Sequence, residues 1–361
     1  MGNIEVNYII GIGRSGTTLL TSILGVHPEI NTIPENYFVI FFYNSFKNKT
    51  YFKPSELLLI HEFNHLFNRL QPYIGYDYTL TKEDDFLKQP FMGSYHELCK
   101  HFYNFFKHKT NNSVNAPIII DKNPSSTLYC EKLLELNPNA KFIFITRDYR
   151  ANILSRIESI HIRPPSVAYN AIRWNYYMSK ALRFENQHQS QVLKIKYEEL
   201  VNHPENTLNQ IFSFLKIEKY STNNLQTNEK QAIVGDLTNY SSELLNKKYN
   251  DLIKKKYSDL TKPINTNRLD SWKTNLTHEQ LILSDYICKK FGEKLGYKPQ
   301  TNITAHKKIS LFIKTIYFNF IVLIERLKDK TTFYLPIKFK VKRFRKHIER
   351  IETVRNGISK K

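Results

Sequence analysis

Short apolar runs alternate with segments whose apolar residues recur every three or four positions, and this rhythm holds over the first 215 residues. Residues 6–12 are a brief apolar run ending in Gly11-Ile12-Gly13, the pattern of a buried parallel strand entering a tight turn. Residues 17–24 follow with helical character, and Gly25 and Pro28 stop them. Further buried strands are expected at 117–121, 141–146 and 191–196. Pro124 opens a helix to about Leu136, which Asn137-Pro138-Asn139 breaks; other helices are expected at 150–160 and 204–215. Pro165 opens a helix on which Val167, Ala171, Trp174, Met178 and Leu182 form one apolar stripe. Strands alternating with helices predict an α/β fold with a central parallel sheet. Between the first two expected strands, residues 35–115 are aromatic and mostly helical in pattern, and read as a helical cap insertion over the sheet's carboxyl edge. Residues 221–265 are polar and read as a long loop; a helix at 277–291 closes a domain spanning 1–300.

Residues 301–361 read as a basic, amphipathic C-terminal helical extension. Leu311, Phe312, Ile316, Phe318, Phe320 and Leu323 lie on a wide apolar arc, beside a narrow polar stripe of Lys308, Thr315, Asn319 and Arg326. After Pro336, Val341, Phe344, Ile348 and Ile351 share a face amid Lys and Arg. Of the net charge of +20, residues 306–361 carry +12, so the tail is where a polyanion or an anionic membrane surface could dock; such helices equally suit packing on the parent domain or a second subunit with their charges solvated. No stretch reaches the ~20 apolar residues of a membrane span. Residues 1–10 lack a basic leader and read as a core strand rather than a signal peptide. Three scattered cysteines form neither a disulfide framework nor a metal cluster, which fits a reducing, cytoplasmic location, peripheral at the inner membrane face if the tail docks. Nothing in the sequence matches the common nucleic-acid-binding motifs, and no nucleic-acid partner is expected.

The first strand runs into Gly11-Ile12-Gly13-Arg14-Ser15-Gly16-Thr17-Thr18-Leu19-Leu20. Glycines permit the turn, the following helix turns its positive end and free N–H groups into it, and Ser15, Thr17 and Thr18 add hydroxyls. This is an anion cradle. Gly11 and Gly16 have the spacing of a nucleotide-binding P-loop, but Thr17 stands where the phosphate-binding lysine belongs. Asp121, after three isoleucines, has the look of a magnesium-holding acid, so a P-loop kinase of nucleoside or adenylylsulfate type remains the alternative. A catalytically inert scaffold whose basic tail binds membrane or nucleic acid is a third reading.

The segment Gly13-Arg14-Ser15-Gly16-Thr17-Thr18-Leu19-Leu20 resembles the 5′-phosphosulfate loop of sulfotransferases that use 3′-phosphoadenosine-5′-phosphosulfate (PAPS), in the Arg-type version of the bacterial and tyrosylprotein-sulfotransferase-like branches. Phe142-Ile-Phe-Ile-Thr146-Arg147-Asp148-Tyr149-Arg150 followed by Ser155 is similar to the family's 3′-phosphate motif, with Arg and Ser eight residues apart. Asp121-Lys122-Asn123-Pro124, Lys196-Tyr197-Glu198-Glu199-Leu200 and Ser271-Trp272-Lys273 match further segments in order, from about residue 5 to 298. The resemblance implies a P-loop three-layer sandwich and in-line transfer of a sulfuryl group from PAPS to a hydroxyl or phenol. It assigns the 5′ end to Arg14, Ser15, Gly16, Thr17 and Thr18, and the 3′-phosphate to Arg147 and Ser155, with Tyr197 and Lys262 against the nucleotide. Ser159 stands near where the family often has another Arg, so Arg156 or Arg163 could substitute.

Arg147 ends an apolar strand, the edge at which open α/β sheets bind ligands. The transferred group carries less charge than a phosphoryl group, so cationic side chains suffice and no metal is expected. Arg14 and Lys122 are the candidate stabilisers. Glu35 stands 21 residues after Arg14, where Arg-type members of the family carry their general base, and His27 and His61 are the competing bases. Trp272 reads equally as core or as an adenine platform, and Arg268 as a residue closing over the nucleotide. The acceptor classes the resemblance leaves open are glycan, lipid, and phenol or tyrosine.

Overall fold

The computed structural model describes residues 4–33, 35–70, 86–108, 115–159, 162, 164–220, 264 and 266–358. The expected 221–265 loop falls almost wholly outside that set, and Lys262 and Arg163 lie outside it too.

Five strands form one parallel sheet: β1 (Glu5–Ile10), β2 (Ile30–Ile33), β5 (Ile118–Lys122), β6 (Phe142–Thr146) and β7 (Val192–Lys196), in the order β2-β5-β1-β6-β7. A separate two-stranded hairpin pairs β3 (Tyr51–Phe52) with β4 (Phe91–Met92) in the cap region. Four of the five parallel strands are the apolar runs expected above. The fifth, β2, is short and carries Asn31 and Thr32 between its isoleucines, so it shows no run; yet all four of its residues are buried. It follows α1 (Thr17–Leu24) directly and occupies the sheet edge beside β5. The expected helix at 124–136 is two pieces, a 3-10 turn over Pro124–Leu128 and α5 (Cys130–Leu136).

Alternation along each strand sends side chains to two cores. Val6, Tyr8, Ile10, Ile119, Phe142 and Phe144 face one core, shared with α2 (Phe38–Phe46), α3 (Pro54–Leu70), α4 (Tyr95–His108) and α7 (Val167–Gln187). Ile9, Ile118, Ile120, Ile143, Ile145 and Ile195 face the other, shared with α1, α8 (Tyr197–Asn202) and α9 (Pro204–Leu215). The result is three layers with the sheet in the middle, and α6 (Tyr149–Ile157), α10 (Trp272–Asn275) and α11 (His278–Lys294) complete the first face. The parallel register brings the carboxyl ends together: Ile33 pairs with Asp121, Ile9 with Lys122, Ile10 with Phe144 and Thr146 with Lys196.

The tail is two helices, α12 (Ala305–Tyr334) and α13 (Ile337–Ile358), both packed on the domain. Phe333 stacks on Tyr129 at 5.5 Å between ring centroids, and Asn44 Nδ2 donates to its carbonyl at 3.1 Å. Val341 and Ile348 are buried, and Phe344 wedges among Phe63, Phe67 and Phe41. The apolar face expected on this segment is the one that docks. Buried Lys340 donates to the carbonyls of Phe41 and Phe333 across the elbow, and burial lowers its pKa to about 8. Arg345 pairs with Glu62 on α3.

Because Phe333 is buried on the body of the domain, Phe333→Ala is expected to cost about 3 kcal/mol of unfolding free energy, read from urea titration. An unchanged midpoint would mean that the tail is undocked in solution.

Candidate active site

The loop after β1 is built around backbone that only special positions adopt. Gly11 has φ 144°, Arg14 φ 74° and Gly16 φ 90°. A Cβ on Gly11 would sit 2.5 Å from the carbonyl oxygen of Ile145, and one on Gly16 2.3 Å from Cδ2 of Tyr197. Glycine is therefore required at both, by close approach as well as by conformation. Gly16 caps α1 with no side-chain acceptor, and no acidic residue occupies the helix's first turn. The positive end of that helix is left for another anion.

Neighbouring elements hold the loop. Thr127 Oγ1 accepts from Gly11 N at 2.8 Å and donates to Gly11 O at 3.0 Å. On α6, Asn152 Nδ2 donates to Gly13 O and to Ser15 Oγ, both at 3.1 Å. Arg156, buried, binds Asn170 Oδ1 at 2.8 Å and reaches Gly13 O at 3.4 Å; burial, reinforced by Arg173, brings its pKa down to about 10. Arg14 Nε donates to Ser155 Oγ at 3.0 Å. Asn152, Ser155 and Arg156 are three and four residues apart and share one face of α6. That spacing is visible in the sequence and would have singled out Asn152, which the motif comparison missed. Thr127 carried no such signal.

Arg147 stands just past the end of β6. Its Nη1 donates to Arg14 O at 3.0 Å and its Nη2 to Arg268 O at 2.9 Å, while its guanidinium lies 4.4 Å from the centre of the Tyr197 ring. Its buried Nε has no hydrogen-bond partner, and burial lowers its pKa. Asp148 does not pair with Arg147. It caps α6 through Arg150 N and binds the Arg150 side chain at 2.7 Å. Arg150 in turn covers buried Trp272, its guanidinium 4.1 Å from the ring centre, so Trp272 serves as a core platform for an arginine.

On the other side of the loop, Lys122 ends β5, and Glu35 lies two residues beyond the end of β2. Lys122 Nζ donates to Glu35 Oε1 at 2.5 Å; the lysine is buried and the glutamate partly open. The next positions are tied as well: Asn123 Nδ2 donates to Asn36 O at 3.0 Å, and Asn36 Oδ1 caps α2 by accepting from Phe38 N. Thus the edge strand that showed no apolar run is what delivers Glu35 to Lys122. Pro124 brings this segment to the loop, since a Cβ on Gly13 would lie 4.0 Å from its Cβ.

Of the other candidates, Ser15 and Thr17 are buried beneath the loop and Thr18 is half-buried. Tyr197 packs against Gly16 and under Arg147. His27 is buried in a turn after α1, its ring bonded to Glu218 O and Glu29 N and packed at a tilt against Phe212, so its polar atoms are engaged in that turn. His61 belongs to cap helix α3. Asp121 is buried beneath the strand tips, where Tyr103 Oη donates to its Oδ2 at 2.6 Å and its Oδ1 is unpartnered. Burial raises its pKa to about 7; the Tyr103 bond and Lys122 oppose the rise and Glu35 adds to it.

Anion cradle, paired acid and ammonium, and buried arginine on one edge of a parallel sheet define a P-loop α/β protein with a site for a polyanionic ligand. The model of the sulfotransferase family matches residues 8–221, more than half of the chain, and the chain belongs to that family. A putative protein-tyrosine sulfotransferase of Caenorhabditis briggsae is 30% identical over 189 residues, covering 50% of this chain and 61% of that protein. Protein-tyrosine sulfotransferase A of Caenorhabditis elegans is 25% identical over 302 residues, covering 82% of this chain and 68% of that protein. The chain thus spans about six tenths of the first relative's length. The sulfotransferase domain of the Synechococcus PCC 7002 olefin synthase has the same fold, with a TM-score of 0.52 at 20% identity over 82% of this chain and 97% of that one.

Two outcomes are expected of the site as a structure. Gly16→Ala should lower the melting temperature, because its methyl would meet the Tyr197 ring in left-handed backbone; an unchanged melting temperature would contradict the geometry. Asp121 has a folded pKa above its unfolded one, so its contribution to stability is complete below about pH 4 and is lost as pH rises to about 7. Asp121→Asn should remove that loss, on the order of a few kcal/mol, from a urea stability profile between pH 4 and 8; the wild-type slope surviving in the variant would refute it.

Proposed function

We propose that this protein transfers the sulfuryl group of PAPS to a hydroxyl acceptor, with a tyrosine phenol as the acceptor its named relatives favour. The observation that carries the reading is the Lys122–Glu35 pair at the strand tips, beside a loop that presents Arg14. The donor set fits a doubly phosphorylated nucleotide. An uncapped helix end, Arg14 and Lys122 suit the phosphosulfate, and Arg147, with a buried Nε still unpartnered, suits a second phosphate with Ser155. Lys262 and Thr18 are the further nucleotide contacts of this reading.

When bound, PAPS supplies an activated sulfuryl group on an anionic leaving group. The chain's own residues do the remainder. Glu35 takes the acceptor's proton on its carboxylate, and Lys122, already bonded to Oε1, holds that carboxylate in place and sets a positive charge beside the reacting atoms. Arg14, its backbone held by Arg147 and its side chain by Ser155, sets a second fixed positive charge at the loop. Preorganised charges of this kind cost no rearrangement when charge shifts during the reaction. The kinase alternative gains nothing here: Thr17 stands where its lysine belongs, and Asp121 is buried and engaged by the Tyr103 hydroxyl.

Assays with labelled PAPS against tyrosine peptides, phenols, glycans and lipids should give transfer to tyrosine peptides, undiminished by EDTA. Glu35→Ala is expected to lower kcat about 10²–10⁴-fold, and Arg14→Ala about 10²–10³-fold. Full activity in Glu35→Ala, or activity lost to EDTA, would overturn the reading.

A further inference from the structure

The first tail helix turns its wide apolar arc away from the domain. A narrower side of mixed polarity faces the domain, while Lys308 and Asn319 of the polar stripe are exposed. Thr315 is buried, Arg326 lies 4.2 Å from the centre of the Tyr176 ring, and Glu325 binds Arg173 at 2.7 Å and accepts from Tyr169. Leu311, Val322 and Phe333 are its buried apolar contacts on the same side. The opposite side carries Ile309, Phe312, Ile313, Ile316, Tyr317, Phe320, Leu323 and Leu327, each between 46% and 65% exposed. On a helical projection these eight fill an unbroken arc with no charged residue between them from 309 to 327. Over those positions the arc is about 27 Å long at the ~1.5 Å rise of an α-helix. Tyr334 and Phe339, 66% and 65% exposed, extend it to the elbow. A solvent-facing helix ordinarily shows the reverse arrangement, and a continuous apolar surface of this size marks a place where something binds.

Charge selects what binds. Exposed lysines border the arc, Lys307 and Lys308 before it, Lys314 beside it and Lys328 and Lys330 after it. Of the helix's two acids, Glu325 is engaged with Arg173 and Tyr169, leaving Asp329 against five exposed lysines. The following helix adds Lys338, Lys342, Arg343 and Lys346, all exposed. A second copy laid face to face would set lysine clusters against lysine clusters with almost no acid to offset them. An anionic lipid surface accepts both the apolar arc and its basic border. No helix among the described residues is long and apolar enough to cross a membrane, so the helix lies in the interface plane rather than spanning it.

We propose that the outward face of α12 is a docking surface for an anionic lipid bilayer, with the domain held above it by the buried side of the same helix. This does not depend on the sulfuryl-transfer reading. The docked helix touches α2, the cap helix that begins three residues after Glu35, so membrane binding would place the acceptor side of the molecule close to the lipid.

The test is flotation of the full chain with vesicles of phosphatidylcholine alone or with a quarter phosphatidylglycerol. Flotation with the anionic vesicles, weakened by salt, is expected. Phe312→Glu/Ile316→Glu/Phe320→Glu should cut the partition coefficient by more than about a hundredfold while binding adenosine 3′,5′-bisphosphate as the parent does. Phe320→Trp offers a second readout that does not rely on the triple variant folding: its emission should shift to the blue with anionic vesicles and be quenched by brominated lipid. Absence of flotation at low salt, equal flotation of the triple variant, or no shift at Trp each overturns the proposal. So does sedimentation as a dimer that the triple variant converts to monomer, which would assign the face to a second copy.

Discussion

Arg14 adopts a left-handed backbone that a side-chain-bearing residue takes up only when its surroundings insist. Here two contacts insist: Arg147 holds its carbonyl from the tip of β6, and Ser155 holds its guanidinium from α6. The cost, of order 1–3 kcal/mol for such a conformation, is met by contacts from residues 133 and 141 positions further along the chain. Everything in the site depends on this closure. It fixes the direction of the loop's N–H groups, leaves the end of α1 uncapped, and sets one guanidinium above the loop and another beneath it. The loop around Arg14 and the segment from Arg147 to Ser155, far apart in the chain, are therefore one physical unit.

The parallel sheet makes that unit possible. Strands buried on both faces end together, and a charged residue placed one position past a strand end is held firmly without entering the core. Arg147 stands at such a position on β6, Lys122 is the last residue of β5, and Glu35 lies two past the end of β2. Buried Asp121 and Tyr103 lie under the Lys122–Glu35 pair, so a titrating carboxyl sits one residue from the working ammonium.

Much of this was legible in the chain. The four long-run strands, the stripe on α7 and the glycine loop follow from apolar periodicity and turn chemistry. The edge strand β2 was not legible, because its interior residues Asn31 and Thr32 are polar and its burial comes from neighbours far along the chain. The loop's fastenings were only half visible: Asn152 shares a helix face with Ser155 and Arg156, whereas Thr127 sits in a 3-10 turn whose geometry no spacing announces. The amphipathic tail was plain as a pattern, but a pattern does not say which side turns inward: for α12 a narrow side with Leu311, Thr315, Val322 and Phe333 docks and the wide apolar arc stays exposed, while for α13 the apolar face docks.

The central claim is that residues at both strand tips grip one doubly phosphorylated nucleotide. Titration calorimetry with adenosine 3′,5′-bisphosphate in EDTA tests it most directly. The account expects one molecule bound per chain, with Arg14→Ala and Arg147→Ala each weakening the affinity at least about tenfold, as loss of a charge-assisted contact should. Absence of heat with the parent protein, or affinity unchanged in both variants, would contradict it.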